Sequence, residues 1–336
     1  SIELCARTEE LKNKTLKLRI SSKNSSNFLM NKTETIKRAE NLTIKGKESF
    51  ENNFYYSAAS YCFGANVEYS YLALLSQNLT EDDILKKFRL IKENIGNFNE
   101  NINKDKIRTI TDLEAYMVVK ERLTDANDFL NLVLENMINK EKSIYNLAYA
   151  IERLNSAKSW TAFLDNRGKE FNLDNDMLKN SCKYKLAEAE ERYQYVYLYY
   201  PTSLANTRKE LDYAYKDLER ENYALCIFKA SKVKANLDTI LSVFYVDESQ
   251  IKDILKQKLE IVRRNLAKET QKGIFPVLGY SYYEYATVLE KEDAYSALLY
   301  SEYALELGNL EVYFKEKSKA VKESKGRGVY YGNYQT

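Results

Sequence analysis

Two ten-residue stretches decide how this chain is read: YSAASYCFGA over residues 56–65 and YSALLYSEYA over residues 295–304. Each sets a Tyr, a Ser and an Ala in a row, then a second aromatic Tyr (Tyr61, Tyr300) and a later Ala (Ala65, Ala304) in the same register. A looser third copy, YALCIFKASKVKA, starts at Tyr223 with Phe228 in the place of the second Tyr, and a fainter relative spans Ala148–Ala157. The three clearer copies each follow a Leu or Phe and a charged or amide-rich turn: FENNFY, LERENY and LEKEDAY. Closely spaced Ala and Ser let a helix approach its neighbours, while Tyr and Phe fill the grooves between helices and keep a polar tip near water.

Outward from these stretches, apolar residues recur at helical spacing almost throughout. The spacing predicts a helix from about Thr35 to Phe50, with Ile36, Ala39, Ile44 and Phe50 on one side, and a partner from about Phe54 to Ser76. Thr80 is a natural N-cap, with Glu81, Asp82 and Asp83 in the turn where the helix dipole favours acids. A polar break at 96–106 precedes a long helix opened by Thr111 and Asp112, and another runs from Ser143 to Leu164. Asp174 caps a helix ending at Pro201, and Thr202 or Ser203 caps its successor, which pairs with residues 222–244. Asp247 opens a helix that Gly273 stops, Asp293 caps a later one, and a short charged helix closes the chain.

Such recurring helix–turn–helix units look like tetratricopeptide-type (TPR) repeats, although no fixed period of about 34 residues emerges. The expected fold is therefore all-α, an irregular TPR-like array of antiparallel helix pairs, either an α-solenoid or a helical bundle. Residues 1–34 read as a partly irregular lead-in, 35–200 and 201–313 as two helical-repeat halves, and 314–336 as a charged tail.

With 51 basic and 49 acidic residues the charges nearly cancel, and they alternate in sign along Lys183–Arg192 and Gln250–Lys268. That pattern describes solvated helix faces rather than the basic stripe of a nucleic-acid binder. The exception is Lys315–Arg327, with six basic and two acidic residues, read as a frayed terminal helix or as a partner-binding or juxtamembrane tail. Ten glycines and two prolines are too few for an all-β fold, and no apolar run is long enough to span a bilayer. Histidine is absent, which removes the commonest general base and metal ligand. No Walker loop, GxGxxG or GxSxG motif is present. The chain reads as a non-enzyme with no catalytic, cofactor-binding or metal-ligating residues.

Tyrosine, at 29 residues, is the strongest anomaly. The run YQYVYLYYP (193–201) alternates like a strand, yet the helical KYKLAEAEER before it places Tyr193, Tyr197 and Tyr200 on one helix face. Together with Tyr280 and Tyr283, from a second cluster that also holds Tyr282 and Tyr285, these tyrosines are either groove packing or a candidate interaction surface, since exposed Tyr is a favoured contact residue. Cys5, Cys62, Cys182 and Cys226 show no metal-ligand spacing. The default for Cys62 and Cys226, on apolar helix faces, is a buried free thiol; disulfides are the alternative for an exported chain, with connectivity unreadable. Sequons at Asn13, Asn24, Asn31, Asn41 and Asn78 cluster near the start, as candidate N-glycosylation sites or as chance in an Asn-rich chain.

FYYSAASYCFGAN in the first half and EYATVLEKEDAYSALLYSEYALEL near the end resemble the helical C-terminal region of archaeal membrane-associated Lon-like serine proteases, over roughly Thr35–Leu310. In that family a Ser/Lys-dyad protease domain precedes the helices and a membrane anchor commonly follows. The segment carrying the nucleophile has no counterpart here, so no catalytic residue is carried over. The resemblance implies an accessory, non-catalytic interaction domain outside the cell or at its membrane, with membrane proximity through flanking segments. The alternatives are a free-standing TPR-like peptide-binding adaptor, which could be cytoplasmic, and a structural cell-surface protein that self-associates. A protein or peptide partner is expected in place of a cofactor or nucleic acid.

Overall fold

The computed structural model describes residues 1–21, 32–201 and 204–317. Among these the chain is an all-α array of twelve α-helices without a strand. They are α1 (Ile2–Ser21), α2 (Thr33–Glu51), α3 (Tyr55–Leu75), α4 (Glu81–Glu100), α5 (Ile110–Glu135) and α6 (Lys140–Trp160) in the first half. Then follow α7 (Asn175–Tyr197), α8 (Ala205–Glu219), α9 (Tyr223–Ser242), α10 (Glu248–Gln271), α11 (Val277–Leu289) and α12 (Ala294–Leu307).

Helix boundaries follow local chemistry. The Thr80 hydroxyl accepts from the Asp83 N–H while the Asp83 carboxylate accepts from the Thr80 N–H, a reciprocal capping box that starts α4. Thr109 with Asp112 does the same for α5, two residues before the expected Thr111 start, and Asp247 with Gln250 does so for α10. Asp174 and Asp293 cap α7 and α12 as expected. The expected Thr202 or Ser203 cap lies outside the described residues; α8 begins after Leu204.

The turns between paired helices are alike. Asn53, Glu221 and Gly273 each take a left-handed backbone conformation, at φ 62°, 60° and 78°. Just past each, the N–H of Phe54, Asn222 or Ile274 reaches back to the carbonyl of Ser49, Asp217 or Glu269, at 2.8–3.0 Å. This bond satisfies an otherwise orphaned helix-end carbonyl and reverses the chain. It also explains the polar turn before two of the three motif copies, at FENNFY and LERENY.

Each motif copy begins a helix of an inner layer. Helix α3 packs on α6, α6 on α5, α5 on α9, α9 on α12, α12 on α11, and α11 returns to α3. The remaining helices support this ring from outside. Helices α1 and α2 lie on α3, α4 on α5 and α6, α7 and α8 on α9, and α10 on α11 and α12. Small residues permit the close approaches. A Cβ on Gly279 of α11 would stand 2.8 Å from the Gly308 Cα at the end of α12, closer than real side chains come.

Buried polar groups fasten outer helices to inner ones. Glu306 of α12 pairs with Lys185 of α7 at 2.8 Å and with Lys234 of α9. Burial works against its charged form, but the two ammonium groups hold its carboxyl below the usual range. At α11, the N–H of Leu278 donates to the buried Glu114 of α5 at 2.8 Å. Burial pushes that carboxyl well above the usual range.

Several expectations need correction. Cys62 and Cys226 are not the free thiols expected by default: Cys62 of α3 is bonded to Cys5 of α1, and Cys226 of α9 to Cys182 of α7, the disulfide alternative. Each bond joins an outer helix to an inner one, and an apolar helix face reads the same in sequence whether its Cys is a core residue or half of a bridge. Within the expected lead-in of residues 1–34, Ile2–Ser21 form α1. On α2 only Ala39 of the four apolar residues is fully buried, and Ile44 points outward, because the helix packs through small Gly46 and Ser49 instead. The expected terminal charged helix falls largely on 318–336, outside the described residues. Ahead of it, 315–317 runs beside 170–172, with the Asn172 N–H donating to the Lys315 carbonyl at 2.8 Å. Among the described residues no helix is long and apolar enough to cross a membrane.

Candidate functional site

The ring of inner helices lines a half-open cavity of about 1170 Å³, to which all six contribute. The repeated motif explains its aromatic wall, since Tyr56 of α3, Phe228 of α9 and Tyr300 of α12 all come from motif copies and all line it. Between them stand Trp160 at the end of α6 and Tyr282 of α11. The rings meet edge-on or tilted. Tyr56 lies 6.3 Å from Trp160 and 5.8 Å from Tyr282, and Tyr282 lies 5.4 Å from Tyr303. Tyr285 lies 6.0 Å from Tyr56 and 4.7 Å from Tyr300, closing the network across α3, α11 and α12. Offset contacts of this kind match the positive edge of one ring to the negative face of the next.

Burial pushes the Tyr56 hydroxyl up to about 12, and that of Tyr282 well above its ordinary value. These are neutral phenols, each able to donate one hydrogen bond. No hydrogen bond joins the hydroxyls of Tyr56, Tyr282, Tyr300 or Tyr303 to another described residue. They are left to serve whatever enters.

The charged groups of the cavity come from α5, α6, α9 and α11. Arg153 of α6 donates through two nitrogens to Asp125 of α5, at 2.9 and 2.6 Å, and its guanidinium sits 5.0 Å over the Phe63 ring. Lys232 of α9 lies 3.9 Å from Glu121 of α5 and 5.3 Å over Phe228. Glu284 of α11 accepts from both the N–H and the hydroxyl of Ser57, and so caps the start of α3 from across the ring. Arg122 of α5 differs. Its side chain lines the cavity with Nε fully enclosed, and it forms no hydrogen bond or ion pair with any described residue.

Of the five tyrosines singled out in the sequence, Tyr280 and Tyr283 line this cavity. Tyr280 stacks on Phe275 at 5.0 Å and shares a 2.8 Å hydrogen bond with Thr270. Tyr193, Tyr197 and Tyr200 lie elsewhere, along α7 and just past its end. Tyr193 is buried, stacked on Tyr197 at 5.8 Å with the Arg208 guanidinium over its ring, and so is packing rather than surface. Tyr200 joins Tyr199 and Tyr245 around Phe244 in a separate exposed patch. Among the sequons, Asn13 and Asn41 are exposed on α1 and α2, and Asn78 is exposed in the turn before α4; Asn24 and Asn31 lie outside the described residues.

Arg122, Lys232, Trp160 and Tyr303 were not among the candidates the sequence offered, and Tyr56 and Tyr300 stood out only as members of the repeated motif. A signal for Arg122 existed: it interrupts the apolar face of α5 between Val118 and Ala126, where a solvated charge does not belong. The tyrosines carried no such signal, because packing and pocket lining look the same along one helix. Comparison of the chain with protein-family profiles, with curated proteins and with solved structures finds no match.

Proposed function

We propose that this chain is a non-catalytic helical scaffold that holds an extended segment of a partner protein in the cavity of its inner ring. The observation that carries the reading is the wall itself, with tyrosines and a tryptophan presented by four different helices beside three cations. At about 1170 Å³ the space exceeds the roughly 300–1,000 Å³ typical of small-molecule sites. Aromatic and Arg side chains are the residues most often responsible for affinity at protein interfaces. The titratable groups favour binding over catalysis too, since Arg153, Lys232 and Glu284 are engaged by partners within the wall.

Trp160 is the sole tryptophan, so its emission reports on the cavity without a label. Peptides selected from a random display library on the intact protein should shift Trp160 fluorescence on titration, and Tyr300→Ser should weaken them about tenfold or more. Failure of any peptide to enrich, or enrichment without a Trp160 response, refutes the reading.

A second reading, an accessory region of a Lon-like protease working outside the cytoplasm, is favoured by the two disulfides. Such bonds persist in oxidising compartments and are rare where glutathione keeps thiols reduced. Its test is whether the native protein co-purifies with a Ser/Lys-dyad protease and carries glycans at Asn41 or Asn78. Both readings share the binding cavity.

A further inference from the structure

Resting on the peptide-binding reading above, we infer that the bound segment presents a single carboxylate to Arg122, flanked by apolar side chains that lie against the tyrosine wall. The inference begins with the charges around the ring. Three cations, Arg122, Arg153 and Lys232, stand among three carboxyls, Glu121, Asp125 and Glu284; burial, then the charge of Glu121, pushes the Asp125 carboxyl up to about 7. Asp125 binds Arg153 directly, Glu121 lies beside Lys232, and Glu284 is spent on the start of α3. Arg122 forms no hydrogen bond or ion pair with any described residue; burial works against its charge, and only the through-space pull of Glu121 and Asp125 supports it.

A guanidinium removed from bulk water without a partner is costly, and its five donors lie in one rigid plane. A carboxylate presents two oxygens at the matching spacing, so the pair closes through two parallel bonds. The neutral hydroxyls of Tyr56 and Tyr282, whose ionised forms would interact electrostatically with Arg122, are the nearby donors for remaining lone pairs. A phosphate meets the same guanidinium but brings a further negative charge towards Glu121. The site therefore suits a singly charged acid, either an Asp or Glu side chain or a terminal carboxylate. The aromatic surround sets the neighbours, because rings and aliphatic side chains fill the grooves between the Tyr faces.

The experiment uses the intact, disulfide-bonded protein and the peptides enriched by display. A selected peptide is synthesised with its terminus amidated in four forms, carrying Glu, Gln or phosphoserine at the acidic position, or Gln with a free terminal carboxylate. Affinities are read from Trp160 emission. Glu should bind about tenfold or more tighter than Gln, the range expected for a charge-assisted hydrogen bond. In Arg122→Gln the two should bind alike, and Arg122→Lys should restore only part of the difference. If the free terminus alone confers tight binding, the carboxylate is that of a chain end. Peptides that enrich and bind with Glu and Gln equal would overturn this inference and leave the peptide-binding reading standing. Tighter binding of phosphoserine would overturn the carboxylate assignment. No enrichment at all would bring down both. Should Arg122→Gln fail to fold by circular dichroism, the Glu/Gln comparison on the unaltered protein still decides.

Discussion

Arg7 and Glu152, 145 residues apart, meet through two charge-assisted hydrogen bonds of 2.6 Å, with the carboxylate of Glu152 wholly buried. Ser70 adds a third bond at 2.5 Å, so one acid on α6 gathers α1 and α3. Removing Arg7 strands a buried charge, and Arg7→Met is expected to lower stability by about 3 kcal/mol or more. The double variant Arg7→Met/Glu152→Leu should recover much of that loss in urea titrations. A double variant no better than the single one would show that packing of α1, rather than charge, is at stake.

The two disulfides close loops of 57 and 44 residues' separation. Constraint of the unfolded chain over such loops contributes about 4 kcal/mol each in the loop-entropy account. Replacing Cys182 and Cys226 together by Ala should lower stability by ~2–4 kcal/mol, measured by denaturant unfolding without reductant. Intact-mass measurement before and after reduction checks that both bonds form.

Acidity should reveal the carboxyl of Glu311, which follows α12. Burial first, then the charge of Glu269, pushes it from 4.5 to about 7, and Lys272 at 3.8 Å offsets only part of this. The buried carboxyl of Glu114, itself raised, also feels the charge of Glu311. The folded chain holds this proton up to about pH 7, whereas the unfolded chain releases it near 4.5. Stability from this group is therefore full below pH 4.5 and lost as pH rises through 7. Allowing for solvent screening of a partly exposed group, the change is ~1–2 kcal/mol. Glu311→Gln should flatten thermal-melt profiles over that window and stabilise the protein at pH 8.

Backbone geometry gives a pair of opposite outcomes. Glu221 holds a left-handed conformation at φ 60° with an exposed side chain. Glu221→Gly should raise stability by about 1 kcal/mol, because glycine adopts that region freely. Gly279→Ala should lower it by ~1–3 kcal/mol, since the new methyl meets the backbone of Gly308 at 2.8 Å. Both are read from thermal melts.

Helix type, order and most starts were legible because caps and apolar spacing are local. Thr80, Asp174 and Asp293 needed only their own first turns. The wall of the site was half legible: Tyr56 and Tyr300 stood out as members of a repeated motif, and Tyr280 and Tyr283 as an anomaly. What joined them was not, because Tyr56 meets Tyr282 only when α11 comes back to α3 across more than half the chain. The pairing of Cys5 with Cys62 was hidden for the same reason: each lies on a helix face whose partner the local pattern does not name. The solitary state of Arg122 is a property of its surroundings rather than of its own neighbours in sequence.

The return of α11 to α3 bears on how such a chain can grow. An open superhelix gains a unit at either end and keeps its neighbours, so copy number drifts freely in solenoids. Here an added helix pair would part Tyr56 from Tyr282 and Tyr285 and leave two unsatisfied edges. Inserting a further pair is therefore expected to break the ring, whereas the outer helices and the turns between them lie outside it. The uneven spacing of the three motif copies fits that constraint: each unit answers to its own place in a circle, not to a common register.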